Sequence, residues 1–320
     1  MTAPLRLGYQ PPFGWAAILG FLGPRAIAGV ERVDGAVYSR CFRHRGEQCR
    51  IAVRDDPRAH RLVVEVEGTA DRRAIARRLR RAFDLDADPR AIGTVLRIDP
   101  LLAPLVAARP GLRVPGCLDP FELAVRAVLG QQISVVGART IAGRIAARWG
   151  TALPGSDLRL FPDAVDLAGA DLTTVGVMPA RARTLTTLSR VVADSPGFFD
   201  RASRAVRADL MALRGIGPWT AQYVGLRALG DRDAFPESDL GLLKAAAEGA
   251  SRPTPKALAR RAEAWRPYRA YAALHLWNAD SWSGSTSEIP CLSSPGRPQA
   301  GTGDPERHAR IAALGSRFAA

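Results

Sequence analysis

The hydrophobic period changes once along the chain, and that change governs the fold. From about Val30 to Gly68 apolar and polar residues alternate, in AVYSRCF, CRIAV and RLVVEVEG, with the turn-rich RDDPRAH between the last two. Alternation at period two makes half-buried strands, so this stretch is expected to form a small antiparallel sheet. DRRAIARRLRRAF follows, with Ile75, Leu79, Ala82 and Phe83 on one helical face. Arg72, Arg73, Arg77, Arg78, Arg80 and Arg81 occupy the other faces, as a solvated surface or as phosphate contacts. After the Pro/Gly-rich ARPGLRVPGCL the pattern becomes helical and stays so to about Trp282. DPFELAVRAVLG opens that region with Asp119 as N-cap, Pro120 in the first helical position and Glu122 at N3. The order predicts an α+β chain: a small antiparallel-sheet domain over residues 1–90, then an all-helical region of two subdomains over 91–282. Residues 283–320 lose all periodicity and fill with Ser, Gly and Pro, as a disordered tail does, although PERHARIAALGSRF is compatible with a short terminal helix.

At 320 residues the chain can bury a sizeable core, and its charge narrows the partner. The formal net charge is +14, carried almost wholly by arginine, since Lys244 and Lys256 are the only lysines. Codon bias in a GC-rich genome explains arginine in place of lysine but not the surplus, which favours a polyanion: nucleic acid first, an anionic membrane surface second. Cys41, Cys49, Cys117 and Cys291 are too few and too scattered for a disulfide framework or a CxxC metal knuckle. The start, MTAPLRLGYQPP, has no signal-peptide pattern, and WAAILGFLG is far short of a membrane span, so a soluble cytoplasmic protein is expected.

LRGIGPWTA, Leu213 to Ala221, lies between two helical patterns with only Gly215, Ile216 and Gly217 to connect them. Such a turn lets the glycine backbone approach a ligand closely and aims the free N–H groups of the second helix, begun by Pro218, at an anion. Ile216 would anchor the turn in the core. The alternative is an ordinary αα-hairpin with glycine at the helix end. The spacing favours a helix–hairpin–helix motif, which grips DNA backbone without reading sequence. Some twenty residues on, FPESDLGLLK places Asp239 at a helix start, where it is either an N-cap or a carboxylate aimed into a cleft.

LRGIGPWTA, the aspartate of FPESDLG and the closing WRPYRAYAALHLWNADSW together resemble the AlkA-like 3-methyladenine DNA glycosylases of the helix–hairpin–helix superfamily. The resemblance starts at LGYQPPFGWAAILGFLG, runs through RPGLRVPGCLDPFELAVRAVLGQQIS and VGVMPARA, and ends at Trp282. It implies a nucleoid-associated monomer with a DNA-binding cleft that flips alkylated bases out of double-stranded DNA and hydrolyses their N-glycosidic bonds. By the resemblance Asp239 is the catalytic carboxylate. Trp277 matches the base-stacking position, and Trp219, Tyr223 and Phe21 match other pocket positions, with core packing the alternative for each. Gly215, Ile216, Gly217 and Thr220 are implied to hold the DNA backbone. Gln132, or its neighbour Ile133, stands where relatives wedge an apolar residue into the duplex. His275 is not expected to act as a base. No cofactor is implied, and the ion left open is a structural monovalent or divalent cation at the hairpin. Trp219 replaces the hairpin lysine of relatives that also cut the strand, and no cysteine lies between Cys117 and Cys291 to hold an iron–sulfur cluster, so a monofunctional enzyme is expected. The spacing from Asp239 to Lys244 departs by one residue from the family pattern, which leaves the register of that helix open. The rivals are a non-catalytic helix–hairpin–helix module, a glycosylase for deaminated or oxidised bases, and alkyl transfer to a cysteine.

Overall fold

The computed structural model describes residues 3–68, 71–249 and 251–279. Trp282, Cys291 and the expected tail over 283–320 lie outside the described residues. The sheet is wholly antiparallel and is built from β1 (Leu5–Gly8), β2 (Glu31–Asp34), β3 (Val37–His44), β4 (Glu47–Asp56) and β5 (Arg61–Glu67) in the order β1-β5-β4-β3-β2. The alternating stretch supplies four of these strands. The fifth, β1, is LRLG, too short to show a period, and it is recruited by pairing Leu5 with Val64 and Gly8 with Arg61.

Between β1 and β2 the uniformly apolar WAAILGFL forms α1 (Trp15–Leu22). After β5, Asp71 accepts from the Arg73 amide and starts α2 (Arg72–Ala82). Both helices cover one face of the sheet. Ile18 and Leu19 of α1, and Ile75 and Leu79 of α2, pack with Tyr38, Phe42, Ile51, Val53, Leu62 and Val64. Full burial of one such aliphatic side chain is worth about 1.5–3 kcal/mol. Three arginines of α2 are spent inside the protein: Arg72 donates to the Ala3 carbonyl, Arg78 to the Arg43 carbonyl, and Arg80 to Gly8 and Asp86. Arg73, Arg77 and Arg81 are exposed, which suits a solvated surface and phosphate contacts alike.

The helical region comprises α3 (Pro89–Leu96), α4 (Ala103–Ala108), α5 (Pro120–Leu129), α6 (Val135–Trp149), α7 (Ala164–Ala168), α8 (Pro179–Ala193), α9 (Ser203–Ala212), α10 (Pro218–Arg227), α11 (Leu240–Ala245), α12 (Pro255–Ala262) and α13 (Arg269–Trp277). Asp119 caps α5 through the amides of Phe121 and Glu122. Eight of the ten α5 residues are buried, as are eight of the nine in α13, so these two helices are the centre of the region. The helical core reaches back to Ile27 and Val30, and the sheet core reaches on to Leu118. The two meet at a buried ionic cluster. Glu31 of β2 accepts from Tyr38 and Arg126, and Arg40 of β3 pairs with Glu31 and with Glu122 of α5. Among the described residues no helix is long and apolar enough to cross a membrane.

Candidate active site

The hairpin between α9 and α10 treats its two glycines differently. Gly215 has φ +94°, a conformation that side chains disfavour, and a Cβ there would overlap Thr184 Oγ1, which donates to the Arg214 carbonyl at 3.0 Å. Gly217 is extended, with nothing within 4 Å of where a Cβ would stand. It precedes α10 without a side-chain cap, so the amides of Trp219 and Thr220 have no intrahelical carbonyl to meet. Ile216 is buried in the helical core and its amide closes on the Leu213 carbonyl at 3.0 Å. The hairpin thus presents open backbone and a helix N-terminus at one spot, the arrangement that accepts a phosphate. The Thr220 side chain itself is turned inward, which leaves its amide as the group available to the DNA backbone. The residue is 3% exposed, and its hydroxyl accepts from Gln131 Nε2 at 2.9 Å, because that face of α10 turns inward. The carbonyls of Leu213, Gly215 and Gly217 each accept one hydrogen bond and keep a second lone pair. Among the described residues no group of three or more His, Cys, Asp or Glu side chains is gathered as a metal site requires.

Asp239 is the N-cap of α11, and its buried carboxylate does not itself line the cleft that Trp219 and Tyr223 wall. Its Oδ1 caps α11 by accepting from the Leu242 amide at 3.0 Å and also accepts from Trp277 Nε1 at 2.9 Å. Its Oδ2 accepts from Trp219 Nε1 at 2.8 Å. The carboxylate is 1% exposed, and among the described residues it has no ion pair. Two tryptophans singled out for a pocket therefore also hold the carboxylate in place. Gly241 makes this possible: a Cβ there would stand 3.0 Å from Asp239 Oδ1 and 3.3 Å from Trp277 Cδ1. Trp219 stacks on Tyr223 with centroids 5.3 Å apart, and Tyr223 meets Trp277 edge-on at 6.3 Å. A buried carboxylate held by N–H groups, walled by aromatic rings and lacking a counter-ion, is built to meet a developing positive charge.

Trp219 and Tyr223 also line a small solvent-open cleft, together with Ile133 and Ser134 from the loop before α6. Its other wall carries Arg25, Arg126, Arg139 and Arg227, none of which stood out in the sequence. Arg126 reaches Glu31 at 2.7 Å and Glu122 at 3.0 Å. Burial disfavours its charge, but the two carboxylates outweigh burial and hold its pKa above the usual arginine value. Arg227 is buried with no ion pair among the described residues; it donates to the carbonyls of Pro115 and Gly116 and to the Tyr223 hydroxyl. Phe21 and Trp277 do not line this cleft. The Phe21 ring carries the guanidinium groups of Arg25 and Arg227 at 4.0 and 4.6 Å, and Trp277 is 8% exposed beneath Tyr223. Gln132 is exposed with φ +58°, and Ile133 is half-buried. His275 is buried; burial and Arg109 push its pKa down to about 4, so it is a neutral core residue. Burial pushes the Cys117 thiol up to about 12, which leaves it no thiolate for alkyl transfer.

Residues 4–119 match the AlkA N-terminal domain family. Over 86% of its length the chain is 38% identical to a Mycobacterium tuberculosis protein described as a probable bifunctional transcriptional activator/DNA repair enzyme AlkA, of which it spans 57%. It is 34% identical to the Escherichia coli DNA-3-methyladenine glycosylase 2, covering 86% of this chain and 97% of that one. The structure of the Archaeoglobus fulgidus 3-methyladenine DNA glycosylase shares the fold, with a TM-score of 0.76 at 22% identity over 87% of this chain and 99% of that one. A relative 34% identical and matched over 97% of its length, together with the AlkA N-terminal domain match, places the chain in the family of AlkA-type DNA-3-methyladenine glycosylases.

Proposed function

We propose that the protein is a monofunctional DNA glycosylase that excises alkylated bases from double-stranded DNA and leaves an abasic site. The observation that carries this reading is Asp239, buried among three N–H donors, without a counter-ion, at the edge of the Trp219–Tyr223 stack. The hairpin backbone at Gly217 and the first turn of α10 hold a phosphate. The damaged nucleotide swings out of the stack toward the aromatic wall. A purine alkylated at N3 or N7 already bears positive charge, so the N-glycosidic electron pair leaves with the base without prior protonation, and the base departs neutral. Positive charge then develops on the sugar, where Asp239 stabilises it and orients a water. Water adds to C1′ and its proton passes through the carboxylate to solvent. No lysine stands in the hairpin, so no Schiff base forms there and the strand stays intact.

The arginine-rich wall favours a second reading. Arg227, buried without an ion pair among the described residues, repels a cationic base, so a neutral deaminated purine suits that wall better than a methylated one. The test is release of free base from duplexes carrying 7-methylguanine or hypoxanthine, by wild type and Asp239→Asn, beside a binding titration. Release of methylated base by wild type alone, with equal binding by both, supports the first reading, and release of hypoxanthine alone supports the second. Binding without release of either base would leave a DNA-binding module. Strand breaks appearing only after alkali would support the monofunctional reading.

A further inference from the structure

The loop joining α5 to α6 runs only from Gly130 to Ser134, and one of its side chains reaches out to the hairpin. Gln131 donates both hydrogens of its amide nitrogen, one to the Gly215 carbonyl at 3.0 Å and one to Thr220 Oγ1 at 2.9 Å. Its own backbone carbonyl accepts from Arg181 Nη2 of α8 at 2.5 Å. Three residues further along α8, Thr184 holds the Arg214 carbonyl. Helix α8 therefore fixes the loop through Arg181 and the hairpin through Thr184, and Gln131 joins the two directly. The next residues are Gln132, exposed in a left-handed conformation, and Ile133 at the cleft.

We infer that Gln131 and Arg181 are positioning residues that latch this loop to the phosphate-holding hairpin. Seating the DNA backbone on the hairpin then sets Gln132 and Ile133 in register with the gap that the flipped nucleotide leaves. This inference rests on the glycosylase reading and adds to it how backbone binding is coupled to base extrusion. It predicts a defect that depends on the substrate: the latch matters where a paired, stacked base must be driven out and is dispensable where the base is already loose.

The experiment compares single-turnover excision from a fully paired duplex and from one with an abasic site opposite the lesion, for wild type, Gln131→Glu, Gln131→Leu and Arg181→Met. Gln131→Glu keeps the shape and loses both donated hydrogens; Arg181→Met releases the loop without touching the hairpin. Each variant is expected to be slower on the paired duplex by roughly tenfold or more, the worth of the lost hydrogen bonds. On the abasic-opposed duplex each should come within about threefold of wild type. Equal losses on both substrates, or no loss on the paired one, would overturn the latch. Unstacking of a 2-aminopurine placed beside the lesion gives a second readout, expected to be weak in the variants. That signal still decides the matter if wild type releases no base, an outcome that would refute the glycosylase reading alone.

Discussion

Asp239 spends one oxygen on two donors and the other on a single indole, so the contribution of each tryptophan can be separated. A hydrogen bond to a charged group is worth about 1.5–3 kcal/mol. Trp219→Phe and Trp277→Phe keep a ring and lose one donor each, and each should slow single-turnover excision by about tenfold to a hundredfold while DNA affinity stays near wild type. Gly241→Ala intrudes on the same carboxylate from the backbone side. It should slow excision by at least tenfold and cost about 1–3 kcal/mol of stability, as overpacking does, measurable by denaturant titration. The carboxylate and its two indoles stand out in the sequence because LRGIGPWTA, FPESDLG and WRPYRAYAALHLWNADSW together resemble the family's motifs. Gly241 does not, since its role exists only once α13 brings Trp277 beside α11. Arg126 and Arg227 were invisible for a related reason: a single arginine in an apolar helix carries no sign of the wall it will face.

At the level of elements, the hairpin invites a paired substitution. Gly215→Ala forces a side chain into a left-handed backbone and against Thr184, so it should destabilise the protein and weaken DNA binding together. Gly217→Ala meets open space in an extended conformation, so unfolding should shift by no more than about 1 kcal/mol. Its DNA affinity should still fall several-fold, because the methyl group stands where a phosphate must approach; unchanged affinity would remove Gly217 from the interface. Elements with strong local signals were readable, such as α5 with its Asp–Pro–Phe–Glu start and α2 with its apolar stripe. The short ones, β1, α3, α4 and α7, were not. Four to eight residues hold too few turns for a period to show, and tertiary pairing decides their structure.

Across the whole molecule, acid stability should follow two buried groups. His275 has its pKa depressed to about 4, so as pH falls below about 6.5 the unfolded chain takes up a proton that the folded one refuses, and stability declines. Burial raises the pKa of Glu31, but Arg126 and Arg40 overcome it and bring it to about 2. That stability is present above the ordinary glutamate range and is lost as pH falls toward 2. Denaturant midpoints should therefore decline continuously from about pH 6.5 downward, and His275→Gln should flatten only the upper part of the decline. Glu31→Gln should cost about 3–5 kcal/mol at neutral pH, the usual effect of stripping a buried cation of its partner. The α+β order of the chain was legible from its two periods, but this ionic joint was not, because Glu31 lies in a strand 91 positions before Glu122 and neither looks buried in sequence.

The same joint makes the sheet an accomplice of the cleft although the sheet does not line it. Glu31 helps neutralise Arg126, which does line it, so a strand of the sheet sets the electrical character of a cleft wall to which it contributes no residue. Chimeras that exchange the sheet between relatives would have to carry a matching acid and base across the junction. A chimera that kept Arg126 and received an uncharged residue in place of Glu31 would inherit a more cationic cleft, and with it an altered choice among lesions, without a single substitution in the wall itself.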